Sequence, residues 1–426
     1  MKNILIITYY WPPSGGAGVQ RWLKFIKYLS QNDKFNIHIY TVKNPESPED
    51  DDSLLKDIPK NINIIKRKIW EPLGIYKKIT GQKRISAGFL NEKKKQKNNL
   101  LQKLSIYIRG NLFIPDAKMF WIKPSVKFLN SYIKEKNINT LITTGPPHSV
   151  NMIGLKLKQK IKTINWISDF RDPWTNIDFY KDLNLTKFAD KKHKRLEKKV
   201  LQTADKIITV GQTLANELQQ ISKKNNINVI TNGFDSTDFK EFNKKQQNKF
   251  TIAHIGSINK DRNHEAFYIG IKNYINTNNI DTNSLSILFI GKLDATVISS
   301  LQKYELTNYC KIINYLPHNK AIQYMYNADI LYLPINNTPN AKGILTGKFF
   351  EYLTCKNPIL TIGPTDGDVA HIIKKTNSGK VFNFSDNNGI TDFLINFNKK
   401  EFTFVDVEQY SRKQLTKKLI NILNEL

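Results

Sequence analysis

Arginine is scarce in a chain that is otherwise strongly basic. Only eight of the 65 lysine and arginine residues are arginine, against 37 acidic residues, for a formal net charge of +28. Arginine supplies the planar fork that reads bases and grips phosphates in nucleic-acid interfaces. A charge made almost wholly of lysine, with asparagine and isoleucine also abundant, reads instead as A/T-rich codon bias, and nucleic acid is not expected as a partner. Cysteine is scarcer still: Cys310 and Cys355 stand alone, without CxxC or Cys/His spacing. That excludes a disulfide framework and a cysteine-based metal site. Long apolar runs are missing too, since nothing reaches the roughly 18 to 20 residues of a spanning helix. Met1-Lys2-Asn3 leads straight into Ile4-Leu5-Ile6-Ile7, with no signal-peptide core between them. The expectation is a cytoplasmic protein whose lysines could meet anionic lipid on the inner face of the cell membrane.

What is present is a well-filled α/β chain. With 426 residues it exceeds one hydrophobic core and calls for two domains. Short β-branched runs alternate with helix-period segments, the pattern of parallel sheets. The first half offers strands at 3–8, 36–42, 140–144, 163–167, 206–210 and 228–231. The pattern restarts after the polar stretch 232–249, with strands at 250–255, 286–290, 311–315, 330–334, 358–362 and 380–384. The domains are therefore expected at 1–234 and 235–407, with an amphipathic helix at 408–426 packing back on the first. Between Tyr76 and Leu112, the run Lys93 to Lys97 sits among apolar residues such as Leu100, Leu104 and Ile108. Both an interfacial membrane helix and a solvated insertion fit that composition.

Five segments carry candidate chemistry. Gly15-Gly16-Ala17-Gly18 follows the first strand and opens a helix, where bare backbone and free N–H groups suit a phosphate or a sugar hydroxyl. Its spacing is not that of a dinucleotide fingerprint. Ser168-Asp169-Phe170-Arg171-Asp172 ends a strand, and Thr144-Gly145-Pro146-Pro147-His148 ends another. Strand carboxyl ends border the ligand crevice of open α/β sheets, which makes Asp169, Arg171, Asp172 and His148 catalytic candidates; an internal Arg171–Asp pair and a structural histidine are the alternatives. Asn232-Gly233 reads as a turn. In the second half, Gly256-Ser257-Ile258-Asn259-Lys260-Asp261-Arg262 closes a strand with two cations able to hold a diphosphate. Thr346-Gly347-Lys348 opens a helix whose interior carries Glu351: a phosphate site followed one turn later by a carboxylate for ribose hydroxyls.

Taken in this order, the segments resemble glycosyltransferase family 4 over nearly the whole chain. The resemblance rests on Gly15-Gly16, on Asn232-Gly233-Phe234-Asp235, on Gly256 to Arg262, on Tyr315-Leu316-Pro317 followed by Tyr326 to Pro334, and on Lys348 to Pro358. It implies a GT-B fold: α/β, two Rossmann-like domains with parallel sheets facing across a cleft, the second holding a nucleotide-sugar donor and the first an acceptor. Donor-binding positions carried over are Gly16, Ser257, Lys260, Arg262, Leu316, Thr346, Gly347, Lys348 and Glu351. Two positions depart from the family pattern. Gly343 stands where the first carboxylate of Glu-x7-Glu belongs, and Ser257 where an arginine is usual. Asp169 lies near the place where relatives carry a histidine.

The resemblance also implies retention of anomeric configuration. Front-face attack needs no enzyme nucleophile, because the departing phosphate accepts the acceptor's proton, so the protein must supply positive charge and exclude water. No cofactor or metal is expected, and Asp366-Gly367-Asp368 reads as a loop. The expected reaction is transfer of a sugar to a surface polysaccharide or lipid-linked glycan. A nucleotide-sugar epimerase on the same architecture and a sugar-nucleotide-binding subunit without turnover are the competing readings.

Overall fold

The computed structural model describes residues 1–47, 50–71, 106–239, 242, 247–314 and 316–426. Lys93 to Lys97, with Leu100 and Leu104, lie outside the described residues. The chain divides into two compact units, Met1–Thr231 with Leu415–Leu426, and Asn232–Gln414.

In the first unit, the strands among the described residues are β1 (Lys2–Ile7), β2 (Phe35–Val42), β3 (Asn63–Arg67), β4 (Thr140–Gly145), β5 (Asn165–Phe170), β6 (Lys206–Thr209) and β7 (Ile227–Val229). They form one parallel sheet in the order β3-β2-β1-β4-β5-β6-β7. A strand covered on both faces reads as an unbroken apolar run, and Ile4, Leu5, Ile6 and Ile7 of central β1 are all fully buried. The helix Ala17–Leu29 covers one face with Val19, Trp22, Leu23, Ile26 and Leu29, a helical spacing that leaves each at most 2% exposed. Strand β3 was missed by the sequence reading. Its residues Asn63, Ile64, Ile65, Lys66 and Arg67 form an edge strand, none of them buried, so no core pattern marks them.

The terminal helix starts later than the expected 408, at Arg412, and runs to Asn424. Residues Val407–Tyr410 form a short turn instead. Its buried Tyr410 packs on Phe350 in the second unit, while the Tyr410 carbonyl accepts from Phe234 N–H at 3.3 Å and Arg412 N–H donates to the Phe234 carbonyl at 2.7 Å. Beyond it, Leu415, Leu419, Ile422 and Leu423 enter the core beside Ile4, Ile6, Ile142 and Ile167. Each such side chain is worth at most about 1.5–3 kcal/mol when fully buried. Lys2 Nζ donates to the Leu423 carbonyl and Asn165 Nδ2 to that of Leu426, at 2.8 Å for the latter.

The second unit repeats the plan with β8 (Phe250–Ile255), β9 (Leu285–Ile290), β10 (Cys310–Ile313), β11 (Ile330–Pro334), β12 (Ile359–Ile362) and β13 (Gly379–Phe382). The order is β10-β9-β8-β11-β12-β13, again parallel. Each sheet therefore reverses its winding once, between β1 and β4 in the first unit and between β8 and β11 in the second. Open α/β sheets bind ligands outside the strand carboxyl ends at such a reversal.

Candidate functional site

At the reversal of the second sheet, β8 ends at Ile255 and the chain turns through Gly256 at φ +134°. A β-carbon at Gly256 would overlap the Lys348 ammonium, so glycine serves two needs at once: the positive φ and the lysine's close approach. Lys348 is the second residue of the helix Gly347–Cys355. Tyr352 pins that helix to β8, its hydroxyl accepting from Ile255 N–H at 2.8 Å. Ahead of the helix, Thr346 Oγ1 is buried without a partner in the fold, beside N–H groups that no helical carbonyl can satisfy.

Arg262 reaches the same place from the turn Lys260–Arg262. Asn259 Oδ1 accepts from Arg262 N–H at 3.1 Å, Nε of Arg262 donates to Asn336 Oδ1, and Nη1 donates to the Ser257 carbonyl at 3.3 Å. Burial, and then the Arg262 charge, bring the Lys348 pKa down to about 7, while Glu351 opposes them. His254 is held well below its usual value by burial and then by Lys348. Arg262, Lys348 and Glu351 thus share one electrostatic neighbourhood. One helical turn beyond Lys348, Glu351 Oε1 lies 3.0 Å from His318 Nε2, and both side chains keep partial solvent access, 16% and 24%. Two cations beside a helix start suit a diphosphate, and a mostly buried carboxylate that keeps some solvent access beside an imidazole suits vicinal hydroxyls.

The other positions expected here are arranged differently. Ser257 contributes its carbonyl to Arg262, Lys260 stands exposed, and Leu316 is half-buried against the core of its own unit. Gly343 lies in the turn Ala341–Gly343, followed by Ile344 and buried Leu345. Asp366 pairs with Lys342 on the surface, and Asp368 opens a helix.

At the reversal of the first sheet, Gly16 takes φ +98° at the start of the helix Ala17–Leu29. A β-carbon at Gly18 would strike the Arg171 guanidinium, which donates to the Gly145 carbonyl from Nε at 3.1 Å and to the Pro146 carbonyl. Arg171 thereby fixes the loop carrying His148. The imidazole stacks on Trp174 with centroids 4.5 Å apart and planes 5° from parallel. Burial and the Arg171 charge lower its pKa to about 3, so it is neutral near pH 7. Its Nδ1 has no partner in the fold, and neither amide atom of buried Asn151 has one. Asp172 is exposed beside Arg171.

Asp169 requires a correction. Fully buried, it accepts from Arg21 at 3.1 and 3.3 Å, from Trp22 Nε1 at 2.6 Å and from Thr144 Oγ1 at 2.9 Å. Arg21 in turn donates to the carbonyls of Ile230 and Thr231, both at 2.9 Å. The carboxylate is spent on holding the helix 17–29 to the sheet, which leaves it no access to a reacting atom. The sequence reading missed Arg21, which lies among apolar residues on its helix. It also missed Asn336, two residues past β11, and His318, directly after Leu316-Pro317.

No family model matches the sequence, and no curated protein does. The folded chain does share its architecture with solved structures. Sucrose-phosphate synthase from Thermosynechococcus elongatus superposes with a TM-score of 0.63 over 100% of this chain and 99% of its own, at 12% identity. A TarM variant from S. aureus, in complex with fondaparinux, α-GlcNAc-glycerol and UDP, gives 0.60 over 100% of both chains at 11% identity. The fold is GT-B. Other proteins of the same architecture include a putative UDP-N-acetylglucosamine 2-epimerase from Listeria monocytogenes, with a TM-score of 0.55 over 100% of this chain and 96% of that one, at 10% identity. At these identities the likeness is one of fold, and a GT-B chain's reaction has to be argued from its own side chains.

Proposed function

We propose that this GT-B chain is a glycosyltransferase of family 4 type that takes a hexosyl group from a nucleotide-diphosphate sugar, with retention, and passes it to a surface-polysaccharide or lipid-linked glycan. One observation carries the reading: Lys348 lies against Gly256, within the electrostatic reach of Arg262 and of a Glu351 paired with His318, at the reversal of the second sheet. Lys348, Arg262 and the helix start at Gly347 would hold the pyrophosphate and stabilise it as it departs. Glu351 would accept from the ribose hydroxyls. The phosphate oxygen freed by glycosyl departure takes the acceptor's proton, so no side-chain nucleophile is needed. In the first unit, His148 and Arg171 would face the acceptor. These groups supply the charge themselves, so the rate should survive a chelator.

The test is release of UDP or GDP from a panel of sugar nucleotides with glycan acceptors, with analysis of the product's anomeric configuration. Conversion of the donor to an epimer without any acceptor would replace this reading. Gly343 and Ser257, which lack the carboxylate and the arginine of the family pattern, favour a different alternative, a sugar-nucleotide-binding subunit. Donor binding without turnover across the panel would mark a binding subunit instead.

A further inference from the structure

Helix Lys187–Thr203 in the first unit turns Ala189, His193, Glu197, Val200 and Leu201 inward. Its outer arc bears Lys187, Lys191, Lys192, Arg195, Lys198 and Lys199, all exposed. Lys194 is exposed as well but pairs with Asp190 at 2.8 Å, and Asp190 is the arc's single acid. Over the roughly 18 Å of helix from Lys187 to Lys199 the surface therefore carries seven cations against one acid. Amid these cations, in the first turn, Phe188 is 76% exposed. The neighbouring segment brings Leu112, 64% exposed, and Tyr107, 45%. Hydrogen bonds fix that proximity: Thr186 N–H donates to Asn111 Oδ1 at 2.7 Å, and Asn111 Nδ2 to the Asn184 carbonyl at 3.1 Å.

A solvated lysine-rich face has no reason to hold a bare phenylalanine. A polyanionic chain would be satisfied by the cations alone. Cations flanking protruding apolar side chains match a bilayer surface, whose anionic headgroups meet the lysines while the rings and leucine enter the acyl boundary. We infer that this face, Phe188 with its surrounding lysines together with Leu112 and Tyr107, seats the protein on an anionic lipid membrane. The inference concerns a surface separate from the donor residues and stands whether or not the chain transfers sugar.

The experiment uses the full chain with vesicles of phosphatidylcholine, with or without about a third phosphatidylglycerol, in a sedimentation assay at low and high salt. The unaltered protein should pellet only with the anionic vesicles and be released by salt. Each lysine near such a surface contributes roughly fivefold in partition, so Lys191→Gln, Arg195→Gln and Lys198→Gln together should weaken binding on the order of 100-fold. Phe188→Ser should weaken it about tenfold without changing the salt dependence. All four positions are exposed, and unchanged thermal unfolding would verify that the variants fold. Equal binding by the triple variant and the parent overturns the proposal. So does an unaffected Phe188→Ser combined with tight binding to soluble dextran sulfate, which would identify a polyanion as the ligand.

Discussion

Glu351 and His318 meet at 3.0 Å between Oε1 and Nε2, one from the interior of the helix Gly347–Cys355 and the other from the first residue of the helix His318–Asn327. The imidazole engages one carboxylate oxygen, Oε1, and so orients the group. Hydrogen bonds to a charged acceptor contribute about 1.5–3 kcal/mol each, so Glu351→Ala should weaken donor binding by at least about 100-fold. His318→Ala, which removes only the orienting group, should cost about tenfold. Titration calorimetry with the preferred sugar nucleotide checks both. Circular dichroism should be unchanged, since neither side chain is part of the core.

Lys348 makes donor binding depend on pH in a definite direction. Its pKa is depressed to about 7 in the ligand-free protein by burial and by Arg262. A diphosphate binds the protonated form and raises that pKa. Affinity should thus be level below about pH 7 and fall above it, by up to about tenfold per pH unit. The effect on folding has the opposite sign. An unfolded lysine titrates near 10.4, so between about 7 and 10 the unfolded chain holds the extra proton and stability rises with pH. Lys348→Met should abolish donor binding, flatten both dependences and raise the Tm of the ligand-free protein near neutrality. A lowered Tm would contradict the assigned burial cost.

Asp169 serves the fold, and its substitution should read as instability. Asp169→Ala leaves Arg21, itself fully buried, with an uncompensated charge, a change that costs about 3–5 kcal/mol. Urea unfolding should show a lower midpoint with an unchanged slope. Arg21→Met combined with Asp169→Leu should recover most of the loss. A catalytic aspartate would behave otherwise, with turnover falling while the midpoint stayed in place.

The architecture was legible because both sheets are parallel and buried: Ile4 to Ile7 is an unbroken apolar run, and Phe250 to Ile255, though it carries Thr251 and His254, is short and mostly apolar or β-branched. Half-exposed β3 lacked that mark. The cluster of Lys348, Arg262 and Glu351 could be anticipated because all three follow strand or helix boundaries with glycine close by. Asp169 shows the limit of the same logic. The carboxyl end of a strand faces the crevice on average, but one side chain there can point into the layer between helix and sheet, and here Arg21, the fifth residue of the helix Ala17–Leu29, claims it. Pairings between positions 148 residues apart leave no local trace in sequence. His318 escaped for a related reason, since its role depends on a carboxylate 33 residues away.

Gly256 offers the sharpest test of how the donor site is built. At φ +134° the position already disfavours any L side chain, and the added methyl would collide with the Lys348 ammonium. Gly256→Ala should therefore combine backbone strain of about 1–3 kcal/mol with displacement of the lysine from the end of β8. The expected result is loss of donor binding comparable to that of Lys348→Met, together with a lower Tm, whereas the lysine variant gains stability. In the double variant, Gly256→Ala with Lys348→Met, the overlap with the ammonium is removed, while a lesser one at the place of the lysine Cε, 2.7 Å from the added methyl, remains beside the backbone strain. Its Tm should lie above that of Gly256→Ala alone, with no recovery of binding. Thermal unfolding of the four proteins, read beside donor titration, separates the two contributions, and simple additivity of the Tm shifts would show that glycine and lysine do not touch.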